Sequence, residues 1–205
     1  KEITLSTGVP ALSSSRIQLI VGLANPGKEY EDTRHNAGAW FVDELLETYQ
    51  SSLKRETKFH GRHTLLHTPA GDCHILIPST YMNLSGQAVR ACMDYLKIGA
   101  ESLLVAHDEI DHEAGSIKLK FDGGDGGHNG LKDIIRHLNT KKFYRLRIGV
   151  GHPGHSKDVA DYVLSNPSKS DKKVIDNAID LAEDIVPLLL QGDIAKAMQQ
   201  LNTGI

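Results

Sequence analysis

A chain of 205 residues, 40% hydrophobic and 24% charged, carries enough apolar material for one buried core and does not require a second domain. Cys73 and Cys92 are too few and too far apart for a C-x-x-C redox or zinc motif, which fits a reducing cytosol. No apolar run approaches the ~20 residues of a membrane span, and a net charge of -3 does not by itself predict a nucleic-acid partner.

The first sixteen residues lack a long apolar segment and read as a disordered leader or expression remnant, which leaves residues 17–205 as the folded domain. From Ile17 the run I-Q-L-I-V-G-L has the length and uniform apolarity of a buried strand, closed by Asn25-Pro26-Gly27. Tyr30 to Gly38 then reads Y-E-D-T-R-H-N-A-G. It places His35, whose proton exchanges near neutral pH, just before an amphipathic helix marked by Trp40, Phe41, Leu45, Leu46 and Tyr49. Thr33 and Asn36 can bond backbone or substrate, and Gly38 permits close approach of another chain segment. Runs at Arg62–His67 and Cys73–Ile77, separated by Pro69, Gly71 and Asp72, predict a hairpin. A second helix carries Ala88, Val89, Cys92, Met93 and Leu96, and L-L-V-A-H-D-E from Leu103 is a further core strand.

Between Ser116 and Asp122, Ile117, Leu119 and Phe121 alternate with Lys118 and Lys120, the pattern of a strand with one wet, basic face. The loop G-G-D-G-G-H-N-G from Gly123 leads into a helix at about Leu131 to Leu138. Tyr144 to Val150 alternates again, and the tail from Ser170 to Asn202 reads as helical by the spacing of Ile175, Ile179, Ala182, Val186 and Leu189. Strands and helices alternate throughout, so the expected architecture is one α/β domain with a twisted mixed β-sheet flanked by helices. Charge is uneven along this chain: eight Lys or Arg stand against three Asp between residues 116 and 147. A basic face on an acidic body suits contact with a phosphate backbone, although scattered solvated lysines give the same count.

Ligands of open α/β sheets sit beyond the carboxyl ends of the strands. Asn25, Tyr81-Met82-Asn83, His107-Asp108 and His128-Asn129 all follow such ends, with His35 just after the first. Singly, each has an ordinary alternative: a turn residue for Asn25, a helix cap near Asn83, a core gap-filler for Met82, a surface ion pair for Asp108. Gly22 to Lys28 matches the first seven positions of a P-loop. Glu29 stands where Ser or Thr must hold Mg²⁺, and Pro26 removes a backbone donor, so both features speak against nucleotide hydrolysis. His107, Asp108, His112 and His128 are ligand types without an ordering motif, so neither a metal nor another cofactor is expected.

These segments resemble the bacterial-type peptidyl-tRNA hydrolases from about Ile17 to the C-terminus. T-R-H-N-A-G at 33–38, with Tyr30 before and Asp43 after, and G-D-G-G-H-N-G-L-K-D-I at 124–134 carry the likeness. V-G-L-A-N-P-G at 21–27, M-N-L-S-G at 82–86, A-H-D-E at 106–109 and R-I-G-V-G-H-P at 147–153 follow in the family's order. The resemblance implies hydrolysis of the ester between a peptide and the 3′ ribose of tRNA, without metal, in a cytoplasmic monomer. It places the general base on His35 and its orienter on Asp108. Asn25 becomes the residue that checks for an acylated amine; Met82, Asn83, His128 and Asn129 hold the substrate, and Asn129 can also stabilise the oxyanion. Tyr30 and Tyr81 would stack on the terminal nucleotide, while Lys118, Lys120, Lys142, Arg145 and Arg147 would grip phosphates. Arg34 and Asn36 are left as scaffolding that aims His35. A non-catalytic tRNA-binding module is the alternative, and the intact His35, Asp108 and Asn129 set speaks against it.

Overall fold

The strand Leu19–Gly22 (β1) is buried at every residue because it lies mid-sheet between two parallel neighbours. The computed structural model describes residues 15–204. Residues 1–14 of the expected leader lie outside them. Arg16, the last residue of that stretch, donates to the carbonyl of Asp72 at 2.8 Å. Six further strands complete the sheet: Lys54–Glu56 (β2), Gly61–Thr68 (β3), Gly71–Pro78 (β4), Leu103–Glu109 (β5), Ile117–Phe121 (β6) and Tyr144–Gly149 (β7). Their order is β2-β3-β4-β1-β5-β7-β6. The four central strands run parallel, while β2, β3 and β6 are antiparallel to their neighbours. This is the mixed α/β sheet the alternation predicts, and it aims the carboxyl ends of β1, β4, β5 and β7 at one rim.

Helices cover both faces. Ala37–Thr48 (α1), Lys169–Asp184 (α5), Val186–Gln191 (α6) and Ile194–Thr203 (α7) pack on the face bearing Ile20, Leu104 and Ala106. Ser85–Leu96 (α2) and Asn129–Leu138 (α3) cover Leu19, Val21 and Val105 on the other. The period-2 alternation of strand side chains produces this division of β1 and β5 between two apolar layers. The tail expected as one helical run is three helices. Pro187 opens α6, and Gly192, at φ +83°, ends it in a left-handed conformation that suits glycine. Two short elements had no signal: β2 is K-R-E, a charged edge without alternation, and Val159–Val163 (α4) is five residues long.

The site is anchored where α1 crosses the sheet. A Cβ built on Gly38 would lie 2.2 Å from the carbonyl oxygen of Ala106, and one on Gly22 would lie 2.6 Å from the carbonyl oxygen of Gly38. Both obstacles are backbone and cannot rotate aside. Gly38→Ala is therefore expected to lower stability by about 3 kcal/mol, at the upper end of ordinary overpacking, as read by chemical denaturation. The same displacement separates α1 from β5, so activity falls with it.

Candidate active site

Arg34, His35 and Asn36 form one buried turn of 3-10 helix immediately before α1. Thr33 ties the entry to this turn by donating its hydroxyl to the carbonyl of Tyr30 at 2.8 Å. Arg34 fixes the other side: its guanidinium donates to the Tyr162 carbonyl and to both oxygens of Ser165, and lies 3.9 Å over the Tyr162 ring. The loop just beyond α4 is thereby held against the turn that carries His35.

Asp108, near the carboxyl end of β5, is the hub. Its Oδ1 lies 2.9 Å from His35 Nδ1 and 2.8 Å from His128 Nε2. The His128 tautomer follows from its other nitrogen. Nδ1 caps α3 by accepting the amide hydrogens of Gly130 at 3.1 Å and Leu131 at 3.3 Å, so it carries no proton. The proton of neutral His128 is then on Nε2 and is donated to Asp108. His35 likewise donates from Nδ1, which leaves its Nε2 lone pair free to accept a proton.

Burial works against the Asp108 carboxylate, but His35 and His128 outweigh it and hold the carboxyl well below the usual carboxylate range. For His35, burial disfavours the charged ring, yet the Asp108 charge and hydrogen bond prevail and raise its pKa above the ordinary 6.5. His107, donating to the Asp108 carbonyl at 2.8 Å, is pushed down to about 3 by burial and by His128, so it stays neutral.

His35, Asp108 and His128 offer ligand atoms within 4.8 Å of one another, close enough to invite a cation. The tautomer argues otherwise. Metal at His128 Nε2 would push the proton onto Nδ1, where two amide hydrogens already point. The donor set suits a hydrogen-bonded relay.

Two clefts meet at this hub. One, about 280 Å³, is lined by Asp108, the 125–129 loop, Val159 and Val163; the second, about 330 Å³, by Asn25, Tyr30, Tyr81, Met82 and Asn83. His35, Asn129, Ala160 and Val163 belong to both. Asn25 accepts the Met82 amide hydrogen on Oδ1 at 2.7 Å, which turns its Nδ2 hydrogens toward another acceptor. Met82 is itself buried among core residues, while Tyr81 and Asn83 are exposed.

Other expected residues are engaged differently from what their spacing implied. His128 faces Asp108 and the α3 cap, so its nitrogens are committed within the protein and not to a substrate. Arg145 is 3% exposed and spends its guanidinium on the carbonyls of Gly123, Gly124 and Lys141, holding the glycine loop from beneath. Lys118 donates to the Asn202 carbonyl at 2.6 Å, and half-buried Arg147 pairs with Glu109 at 3.0 Å. Lys120 and Lys142 are exposed. Val159, Ala160 and Val163 escaped sequence reasoning: they are apolar wall residues on a one-turn helix, with no polar motif to mark them.

Comparison with known proteins decides the family. Residues 19–204 match the family model described as peptidyl-tRNA hydrolase. The chain belongs to the peptidyl-tRNA hydrolase family. It is 52% identical over 189 residues to the peptidyl-tRNA hydrolase of Glaesserella parasuis, covering 92% of this chain and 97% of that protein. The Pectobacterium atrosepticum peptidyl-tRNA hydrolase is 53% identical with the same coverage. The crystal structure of peptidyl-tRNA hydrolase from Acinetobacter baumannii superposes with a TM-score of 0.88 at 48% identity, covering 93% of this chain and 95% of that one. The peptidyl-tRNA hydrolase match spans the whole Asp108 hub and both clefts.

Proposed function

We infer that this chain hydrolyses the ester joining a peptide's C-terminal carbonyl to the 3′ ribose of tRNA, with His35 as general base. The supporting observation is the 2.9 Å bond from His35 Nδ1 to Asp108, which reserves Nε2 for chemistry at the place where two clefts meet. Water gives a proton to His35 Nε2 as its oxygen bonds the ester carbonyl carbon. Asp108 steadies the imidazolium that results. The tetrahedral intermediate then collapses, the bond from carbon to ribose oxygen breaks, and the Nε2 proton passes to that oxygen. Asn129, shared by both clefts, is the side chain suited to donate to the oxyanion.

Asn25 supplies selection. With Oδ1 held by Met82, its Nδ2 hydrogens suit the carbonyl of an N-acylated residue, whereas a free ammonium offers no acceptor. Asn83 lines the same cleft, and Tyr30 and Tyr81 are suited to stack on the terminal nucleotide. For the acceptor-stem phosphates, exposed Lys120 and Lys142 fit best, and Arg147 lines one small cleft with Lys120. Arg145 and Lys118 are better read as internal braces. The working unit on this reading is a cytoplasmic monomer without a resident metal or cofactor. Among the described residues, no helix is long and apolar enough to cross a membrane.

Cleavage of N-acetyl-aminoacyl-tRNA with and without EDTA tests the proposal. Cleavage that persists in EDTA is expected. Tight tRNA binding without cleavage would mean a binding module instead, and loss on chelation would mean a metal enzyme.

A further inference from the structure

We propose that Asn36 is a positioning residue for substrate selection, acting through Asn25; this rests on the reading of Asn25 as the acyl selector. Asn36 is 4% exposed and follows His35 directly in the 3-10 turn. Its side chain closes a two-point clamp on the backbone of Asn25. Asn36 Oδ1 accepts the Asn25 amide hydrogen at 2.9 Å, and Asn36 Nδ2 donates to the Asn25 carbonyl at 3.1 Å. The chemistry of the two backbone groups fixes which way the Asn36 amide points.

Among the described residues the backbone of Asn25 has no hydrogen-bond partner besides Asn36. Pro26 has no amide hydrogen, Gly27 stands at φ +111°, and both backbone groups of Asn25 turn to Asn36. Asn25 in turn holds Met82 at 2.7 Å. The result is one line of bonds from the base to the selector: His35, its covalent neighbour Asn36, then Asn25 and Met82. Met82 holds the Asn25 side chain, while the two bonds to the Asn25 backbone come from the residue next to the base and tie the acyl-reading amide to the nitrogen that activates water. Because Asn36 makes no bond to the His35 ring or to Asp108 among the described residues, loosening it should blur selection without altering the base.

The readout is the ratio of kcat/KM for N-acetyl-aminoacyl-tRNA to that for the unacylated aminoacyl-tRNA. Asn25→Ala should lower this ratio by ~10²-fold or more, since a lost polar contact removes strong discrimination. Asn36→Ala should lower it by about tenfold, the worth of one or two net hydrogen bonds. Asn36→Ser, neutral but too short to bridge both groups, should do the same if the alanine variant folds poorly. In the double variant with Asn25→Ala, the Asn36 effect should vanish, because it acts through Asn25. The pH at which activity rises should not move in the Asn36 variants. An unchanged ratio in both Asn36 variants, equal losses for the two substrates, or full additivity with Asn25→Ala overturns the inference. An unchanged ratio in Asn25→Ala overturns the reading of Asn25 as well, so the two failures are distinguishable.

Discussion

His35→Ala is expected to lower kcat/KM for N-acetyl-aminoacyl-tRNA by roughly 10²–10⁴-fold, the usual worth of a positioned general base. The fold should survive. His35 is 8% exposed and borders both clefts, so its removal enlarges a surface cleft and opens no void inside the core. Asp108 keeps its bond from His128 at 2.8 Å, which spares it from standing as an unpaired buried charge. Single-turnover cleavage beside a thermal melt checks both halves: a large loss of rate with a nearly unchanged Tm is the expected pair.

Asp108→Asn should cost at least ~10²-fold in the same rate, for an electrostatic reason. The amide oxygen can still accept from His35 Nδ1 and His128 Nε2, so the arrangement persists while the charge that stabilises a protonated His35 is lost. Stability carries a second signature. A carboxyl held below its ordinary 3.8 contributes stability that is present above that pH and fades as pH falls through the folded value. The wild type therefore shows an acid-side loss from this group that Asp108→Asn lacks. Denaturant titrations across the acid range, with the two proteins side by side, measure it.

Much of the architecture was written locally. β1 and β5 announce themselves as uniformly apolar runs because both of their faces are covered, and the hairpin of β3 and β4 by its turn residues. The rim of polar residues followed from one topological fact, that ligands lie beyond parallel strand ends. What stayed hidden depends on partners distant in sequence. Period-2 spacing put Lys118 and Lys120 on one face of their strand and Arg145 and Arg147 on one face of theirs, and the β6–β7 pairing of Lys118 with Arg147 and Lys120 with Arg145 joins the two. Spacing could not show that the glycine loop folds over Arg145 and takes its hydrogen bonds.

The roles of His128 and Asn36 were hidden for the same reason. His128 stood beside Asn129 in a loop that looked substrate-facing, and only its bonds to Asp108, Gly130 and Leu131 reveal that it shares the Asp108 carboxylate with His35. Asn36 was read as scaffolding for its neighbour His35, yet its side chain turns to Asn25, eleven residues earlier. The tail misled by continuity: apolar spacing runs on through Pro187 and Gly192, where the backbone breaks. β2 and α4 are too short for any period to register.

On the proposed mechanism, a His35 made more basic by Asp108 takes the proton from water. Protonated His35 stabilises the fold below the ordinary 6.5, a contribution lost as pH rises through its raised folded value, and activity runs the opposite way because the base must be neutral. The most direct measurement is kcat/KM across about pH 5 to 9 for the wild type and Asp108→Asn. The wild type should rise through an inflection above 6.5, and Asp108→Asn should rise through one shifted downward, since burial alone then acts on the ring. A wild-type profile without a rising limb, or an inflection that ignores the loss of Asp108, would rule out His35 as the base that Asp108 tunes.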